Sequence, residues 1–325
     1  MRRMVWVLLG TVIATGISFS QANTSAPASL GGPLRLRDQG SFYVGGKVSG
    51  AANAETVLNQ MYVQYWIPET GGTLPPVIMV HGSSHTGKTF ETTPDGREGW
   101  ATYFVRQQIP VYVVDLPGRA RSGFDASALS RTPNVSRFND QSAWVQFRIG
   151  PRAFEPYPTT QFPVEAKDQY FAQLVPNSEA TLPNANAIQT EALAALVDKI
   201  GPSIVLVHSM SGTQGIGVSV ARPNLVKALV TVEPITCAAP DPDVTKTFNH
   251  IALLAVWGDF KDAFIDRGLA QCGDLVARSN AAGGKAKLLH LPDEGFAGNS
   301  HMLMMDRNNL KIADRIIGWL RDNVK

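Results

Sequence analysis

A clustered basic excess is missing from this sequence. Lysine and arginine number 29 against 27 acidic residues, and two of the basic ones, Arg2 and Arg3, sit at the extreme N-terminus. A nucleic-acid surface needs basic charge gathered on one face, so nucleic acid is not an expected partner. Beyond the first two dozen residues no apolar run approaches the length of a membrane-crossing helix. Internal repeats and low-complexity tracts are absent, and cysteine is confined to Cys237 and Cys272.

What is present begins with Arg2-Arg3, an apolar run from Val5 to Phe19, and Ser20-Gln21-Ala22. A charged start, an apolar stretch and a small-x-small triplet predict an export signal, residues 1–22, cut after Ala22. A membrane anchor is the alternative, but Gly10, Thr11 and Gly16 interrupt a run that is already short. Cleavage leaves 27 basic residues facing 27 acidic ones and no stable membrane span. In an oxidising compartment Cys237 and Cys272 form an even pair suited to a disulfide. Such a bond closes a loop of about 36 residues and contributes about 3–4 kcal/mol; two buried free thiols are the alternative.

With 325 residues, 44% of them apolar, the chain accommodates one large α/β domain or two modest ones. Apolar alternation predicts opening strands at Ser41–Val48 and Gln60–Ile67. Short unbroken apolar runs follow at Val77–Val80, Val111–Val114, Ile204–Val207, Ala228–Val232, Ile251–Val256 and Ala286–Leu291. Each is bounded by Gly, Pro or charge, as strands buried on both faces are. Helical patterns cover Ala185–Ile200, Gly212–Ala221 and Leu310–Val324. Together they predict a mostly parallel sheet of eight strands, antiparallel at its start and flanked by helices. Residues 124–183 break the alternation with nine aromatics and seven prolines. That stretch is too apolar for a linker and too broken for one element, so it reads as a cap; an ordinary packed insertion is the alternative. The expected core is then 23–123 and 184–325.

The stretch VIMVHGSSHTGKT, Val77 to Thr89, matches a phosphate-binding G-x-x-x-x-G-K-T loop. It equally matches a strand and His-Gly turn leading into an oxyanion-binding loop. Asp115-Leu116-Pro117-Gly118 even looks like a nucleotide switch. A phosphate loop must open a helix at its lysine, yet Thr92-Thr93-Pro94-Asp95-Gly96 follows. Proline inside that helix costs about 3 kcal/mol, and no [N/T]-K-x-D base-reading motif occurs. A P-loop nucleotide binder is therefore the weaker reading.

Acyl chemistry needs a nucleophile. Ser203 to Gly212 is an apolar strand, then His208-Ser209-Met210-Ser211-Gly212, then a helix rich in small residues. This is the strand-to-helix turn that displays a nucleophilic serine. Val207 and Ser211 stand where G-x-S-x-G has glycine; Ser211 as nucleophile is the weaker placement. Of six histidines, His301 alone sits in a loop after the final strand, in Gly298-Asn299-Ser300-His301-Met302. With a carboxylate between Ser209 and His301, the chain order would be Ser, acid, His. For the acid, Asp259 and Asp262 follow the seventh strand, while Glu233 stands at the tip of the sixth, beside the nucleophile strand.

With these motifs in order, the chain resembles the α/β-hydrolases over essentially its whole mature length. The resemblance implies that Asp115–Ser122 is a structural turn and Lys88 incidental. It also implies oxyanion donors from the backbone N–H of Met210 and of Ser83. The loop Gly87–Gly96, GKTFETTPDG, is similar to that of secreted bacterial serine esterases whose triad acid is a Glu after the sixth strand. In that group adjacent cysteines can stand where this chain has Ser83-Ser84. The resulting expectation is a secreted or periplasmic serine carboxylesterase with Ser209, His301 and Glu233 as triad, and Asp262 then Asp259 as alternative acids. No metal or organic cofactor is expected, the partner is a small-molecule ester, and a homo-oligomer stays open. The same triad would serve an acyltransferase or carbon–carbon hydrolase, and a distorted elbow would leave a non-catalytic binding protein.

Overall fold

The computed structural model describes residues 32–125, 135–239, 243–260 and 262–324. The predicted export signal lies outside the described residues, as do residues 126–134 of the predicted cap. Eight strands form one sheet: β1 (Leu36–Ala51), β2 (Ala54–Pro68), β3 (Val77–Val80), β4 (Val111–Asp115), β5 (Ser203–His208), β6 (Val226–Val232), β7 (Ala252–Trp257) and β8 (Ala286–His290). Their spatial order is β1-β2-β4-β3-β5-β6-β7-β8. β2 runs antiparallel to both of its neighbours, and every other pair is parallel. This is the α/β-hydrolase arrangement.

The central strands read as unbroken apolar runs because both of their faces are covered. Met79, Val113, Leu206, Val230 and Leu254 face one core with α1 (Trp100–Arg106) and α8 (Asn309–Asn323). Val80, Val114, Val205, Leu229 and Leu253 face the other, under α4 (Ala185–Ile200), α5 (Gly212–Ala221) and α7 (Ala263–Ala281). The opening strands run beyond their predicted ends. β2 pairs with β4 only over Tyr62–Trp66, while the β1–β2 ladder continues to Ala51 opposite Ala54. That outer arm exposes Val48 and Val57 and buries neither face, so it carries no period-two pattern.

Between β4 and α4 lie two short helices, α2 (Asp140–Gln146) and α3 (Lys167–Ala172), linked by irregular chain. Trp144, Phe147, Ile149, Phe162 and Tyr170 from this stretch are buried in the first core. Much of its aromatic content is therefore structural packing. A last helix, α6 (Asp243–Phe248), precedes β7. Cys237 and Cys272 form a disulfide with their Cα atoms 4.9 Å apart, which ties the chain after β6 to the middle of α7.

Candidate active site

β5 ends at His208, a tight 3-10 turn spans Ser209–Ser211, and α5 starts at Gly212. Ser209 has φ +54°, a left-handed conformation that costs a non-glycine residue about 1–3 kcal/mol and persists only when its surroundings enforce it. Small residues allow the approach. A Cβ on Gly82 would lie 2.8 Å from both His208 Nδ1 and Ser209 Cβ, and one on Gly212 would lie 2.8 Å from Pro234 Cβ. Val207 is tolerated because Gly215, in the first turn of α5, has no Cβ: one there would lie 2.9 Å from both Val207 methyls. The missing bulk has moved from strand to helix. Ser211 is buried, and its hydroxyl reaches the carbonyls of His81 (2.6 Å) and His208 (2.9 Å). The Ser209 hydroxyl, by contrast, enters no hydrogen bond among the described residues.

Across from the elbow, the loop after β3 is fixed by a residue distant in sequence. Asn177 Oδ1 accepts from Ser84 N (2.7 Å), Ser83 Oγ (3.1 Å) and Arg119 Nη2 (2.8 Å). Arg119 also donates to His85 O (3.1 Å) and is ion-paired with Glu179. Ser84 takes φ +56°. The Ser83 N–H is left out of the hydrogen bonding among the described residues. Met210 is the second residue of the 3-10 turn, where an N–H has no intrahelical acceptor.

Glu233 follows β6 directly, with φ +49° and no exposed surface. Its Oε1 accepts from Gly258 N at 2.5 Å. Its Oε2 accepts from Arg148 Nη2 at 2.6 Å and from His301 Nδ1 at 3.1 Å. With Nδ1–H turned to the carboxylate, His301 Nε2 is the free acceptor. His301 N donates to Phe147 O (3.0 Å), its ring stacks on Phe147 at 12° with centroids 5.6 Å apart, and its carbonyl accepts from His208 Nε2 (3.0 Å). The His208 and His301 rings are 4.7 Å apart, so the residue before Ser209 touches the imidazole while Ser209 itself does not hydrogen-bond to it.

The electrostatics separate these groups. Burial alone would raise the Glu233 carboxyl, but the charge of Arg148 and the His301 hydrogen bond outweigh it and hold the group below its ordinary value. Burial lowers His301, opposed by the hydrogen bond and charge of Glu233. Desolvation takes His85 down to about 3, His81 to about 4 and His208 well below 6.5. The other site histidines thus stay neutral. Among the described residues no cluster of three or more His, Cys, Asp or Glu side chains could hold a metal ion.

No protein-family model matches the chain. A bacterial esterase solved at atomic resolution is 37% identical, over 92% of this chain and all of that one, and superposes with a TM-score of 0.84. The chain belongs to the α/β-hydrolase esterases. It is a carboxylic ester hydrolase. A further relative is the probable secreted lipase phiG of a fungal species (strain ATCC 74256), 28% identical across 88% of this esterase and 91% of the lipase. A fungal relative means that likeness to bacterial enzymes does not fix the source.

Other predicted residues of the esterase fall elsewhere. Asp262 caps α7, accepting from Phe264 N and Ile265 N, both at 2.9 Å. Asp259 accepts from Phe260 N and Gly298 N. Both candidate acids are thus committed to backbone N–H groups and not to His301. Gly87–Phe90 forms a single 3-10 turn, and the next helix starts only at Trp100; Lys88 is turned back on the Thr92 carbonyl. The helix that a phosphate loop needs at its lysine does not form there, as Pro94 predicts. Asp115 binds Arg121 and Gly87 N, as a structural turn does. Two residues escaped the sequence reading: Arg148 and Asn177. Neither sits in a local motif, because the Arg148–Glu233 contact spans 85 positions and the Asn177–Ser84 contact spans 93.

Proposed function

We propose that this esterase is a secreted serine hydrolase acting on small-molecule carboxylic esters through Ser209, His301 and Glu233 and an acyl-enzyme intermediate. Ser209 Oγ bonds to the ester carbonyl carbon as its proton passes to His301 Nε2. The N–H groups of Ser83 and Met210 receive the developing oxyanion. His301 returns the proton to the leaving alkoxide oxygen as the ester C–O bond breaks. Water, deprotonated by the same imidazole, then releases the acid. Glu233 holds the imidazole tautomer and stabilises imidazolium.

The observation that carries this reading is the hydrogen bond between His301 Nδ1 and the buried Glu233 carboxylate at 3.1 Å. Residues 1–22 act as the export signal, residues 23–123 and 184–325 as the catalytic core, and 124–183 as the cap. A fluorophosphonate probe should label one site, and peptide mapping should find it on Ser209. Labelling that persists in Ser209→Ala overturns the assignment. Product analysis with added alcohol distinguishes hydrolysis from acyl transfer, for which hydrolysis predicts free acid as the main product.

A further inference from the structure

The Glu233 carboxylate is fully buried, where an uncompensated charge is expensive. The cation that compensates it comes from neither the elbow nor the histidine loop. Arg148 follows α2, its side chain is 3% exposed, and its φ is +52°. One arm of its guanidinium meets Glu233 Oε2 at 2.6 Å, and Nε donates to Asp259 O at 3.2 Å. The residue before it, Phe147, stacks on the His301 ring and accepts from the His301 N–H. One dipeptide from the predicted cap therefore grips both the acid and the base.

A guanidinium and an imidazole share Glu233 Oε2. When the imidazole is protonated, one carboxylate faces two cations. We propose that Arg148 is a positioning residue for ester hydrolysis: it anchors Glu233 Oε2 and, as a fixed cation, opposes the charge that His301 gains on taking the Ser209 proton. The proposal rests on the triad reading. Its chemical consequence lies in the return step, since an imidazolium held near a permanent cation gives up its proton to the leaving oxygen more readily.

The groups facing His301 are Glu233 after β6, Asp262 at the start of α7, Arg148, His208 on β5 and His85 in the oxyanion loop. Glu233 and Asp262 favour the imidazolium and Arg148 disfavours it. His85 and His208 stay neutral. Removal of the Arg148 charge therefore makes His301 more basic.

The test is the pH profile of kcat/KM for wild type, Arg148→Met, Arg148→Lys and Glu233→Gln, each normalised to the number of fluorophosphonate-reactive sites. R148M should move the acidic limb to higher pH and lower kcat by about tenfold or more. R148K keeps the charge but loses the planar fork that reaches Glu233 Oε2 and Asp259 O together; its limb should stay near wild type while kcat falls. An unshifted acidic limb in R148M overturns the proposal, because a purely structural residue changes only the number of reactive sites. Should R148M fail to fold, R148K decides: wild-type kcat overturns the proposal, and reduced kcat with an unmoved limb supports it. E233Q with wild-type kcat defeats the triad reading itself, whereas inactive E233Q beside unshifted R148M defeats the Arg148 role alone.

Discussion

Ser209 and Glu233 stand at the tips of neighbouring parallel strands, β5 and β6, and both hold left-handed backbone, at φ +54° and +49°. Their side chains are treated in opposite ways. The Glu233 carboxylate is buried and takes hydrogen bonds from Gly258, Arg148 and His301, while the Ser209 hydroxyl is partly exposed and takes none among the described residues. An attacking oxygen has to stay free to meet a carbon, whereas an orienting carboxylate works only when its position is overdetermined. Small residues around Ser209 leave room for its turn, whereas Glu233 is tied by its side-chain partners and by its own N–H to Val256 O.

The comparison breaks most sharply at Ser209, the proposed nucleophile. Ser209→Gly should lose about 10⁴-fold or more in kcat yet gain about 1 kcal/mol of stability, because glycine accepts positive φ without strain. Activity assays and thermal unfolding on the same sample check both signs. At Glu233 the two quantities should fall together. Glu233→Ala should cut kcat by about 10³–10⁴ and cost about 3–5 kcal/mol, since Arg148 is left buried and unpaired. The carboxyl is held below its ordinary value of 4.5. Its stabilising contribution is therefore complete above pH 4.5 and lost as pH falls through the depressed folded value, which acid unfolding of wild type against the alanine variant measures. A smaller effect is expected at Ser83, where proline removes the N–H and should slow turnover by about 10²–10³, while alanine leaves it nearly intact. Smallest is Asp262→Ala: activity within a few-fold of wild type, and about 1 kcal/mol lost with the helix cap. Turnover abolished by D262A and spared by E233A would reverse the roles assigned to the two carboxylates.

The central strands were legible because burial on both faces writes itself as an unbroken apolar run, the opening pair through apolar alternation, and all eight predicted stretches overlap strands of the sheet. The elbow was legible for a related reason: its demands fall within a few residues of Ser209. Helix α7 was not singled out, and its cap Asp262 was weighed as an acid. An Asp between a strand and a helix looks alike in sequence whether it caps or orients. The contact between the His208 and His301 rings is likewise set by the returning loop and has no local pattern in sequence. Arg148 and Asn177 mark the limit of local reading. Each acts on a partner far along the chain, and no spacing rule links an arginine after a short helix to a carboxylate on another strand.

The bond between Cys237 and Cys272 spans 35 positions that include α6 and β7. A protease that clips the chain once inside that span yields two fragments on a reducing gel and a single band without reductant. The clipped ends stay tethered, so Glu233 on one piece and His301 on the other remain parts of one covalent molecule after the cut.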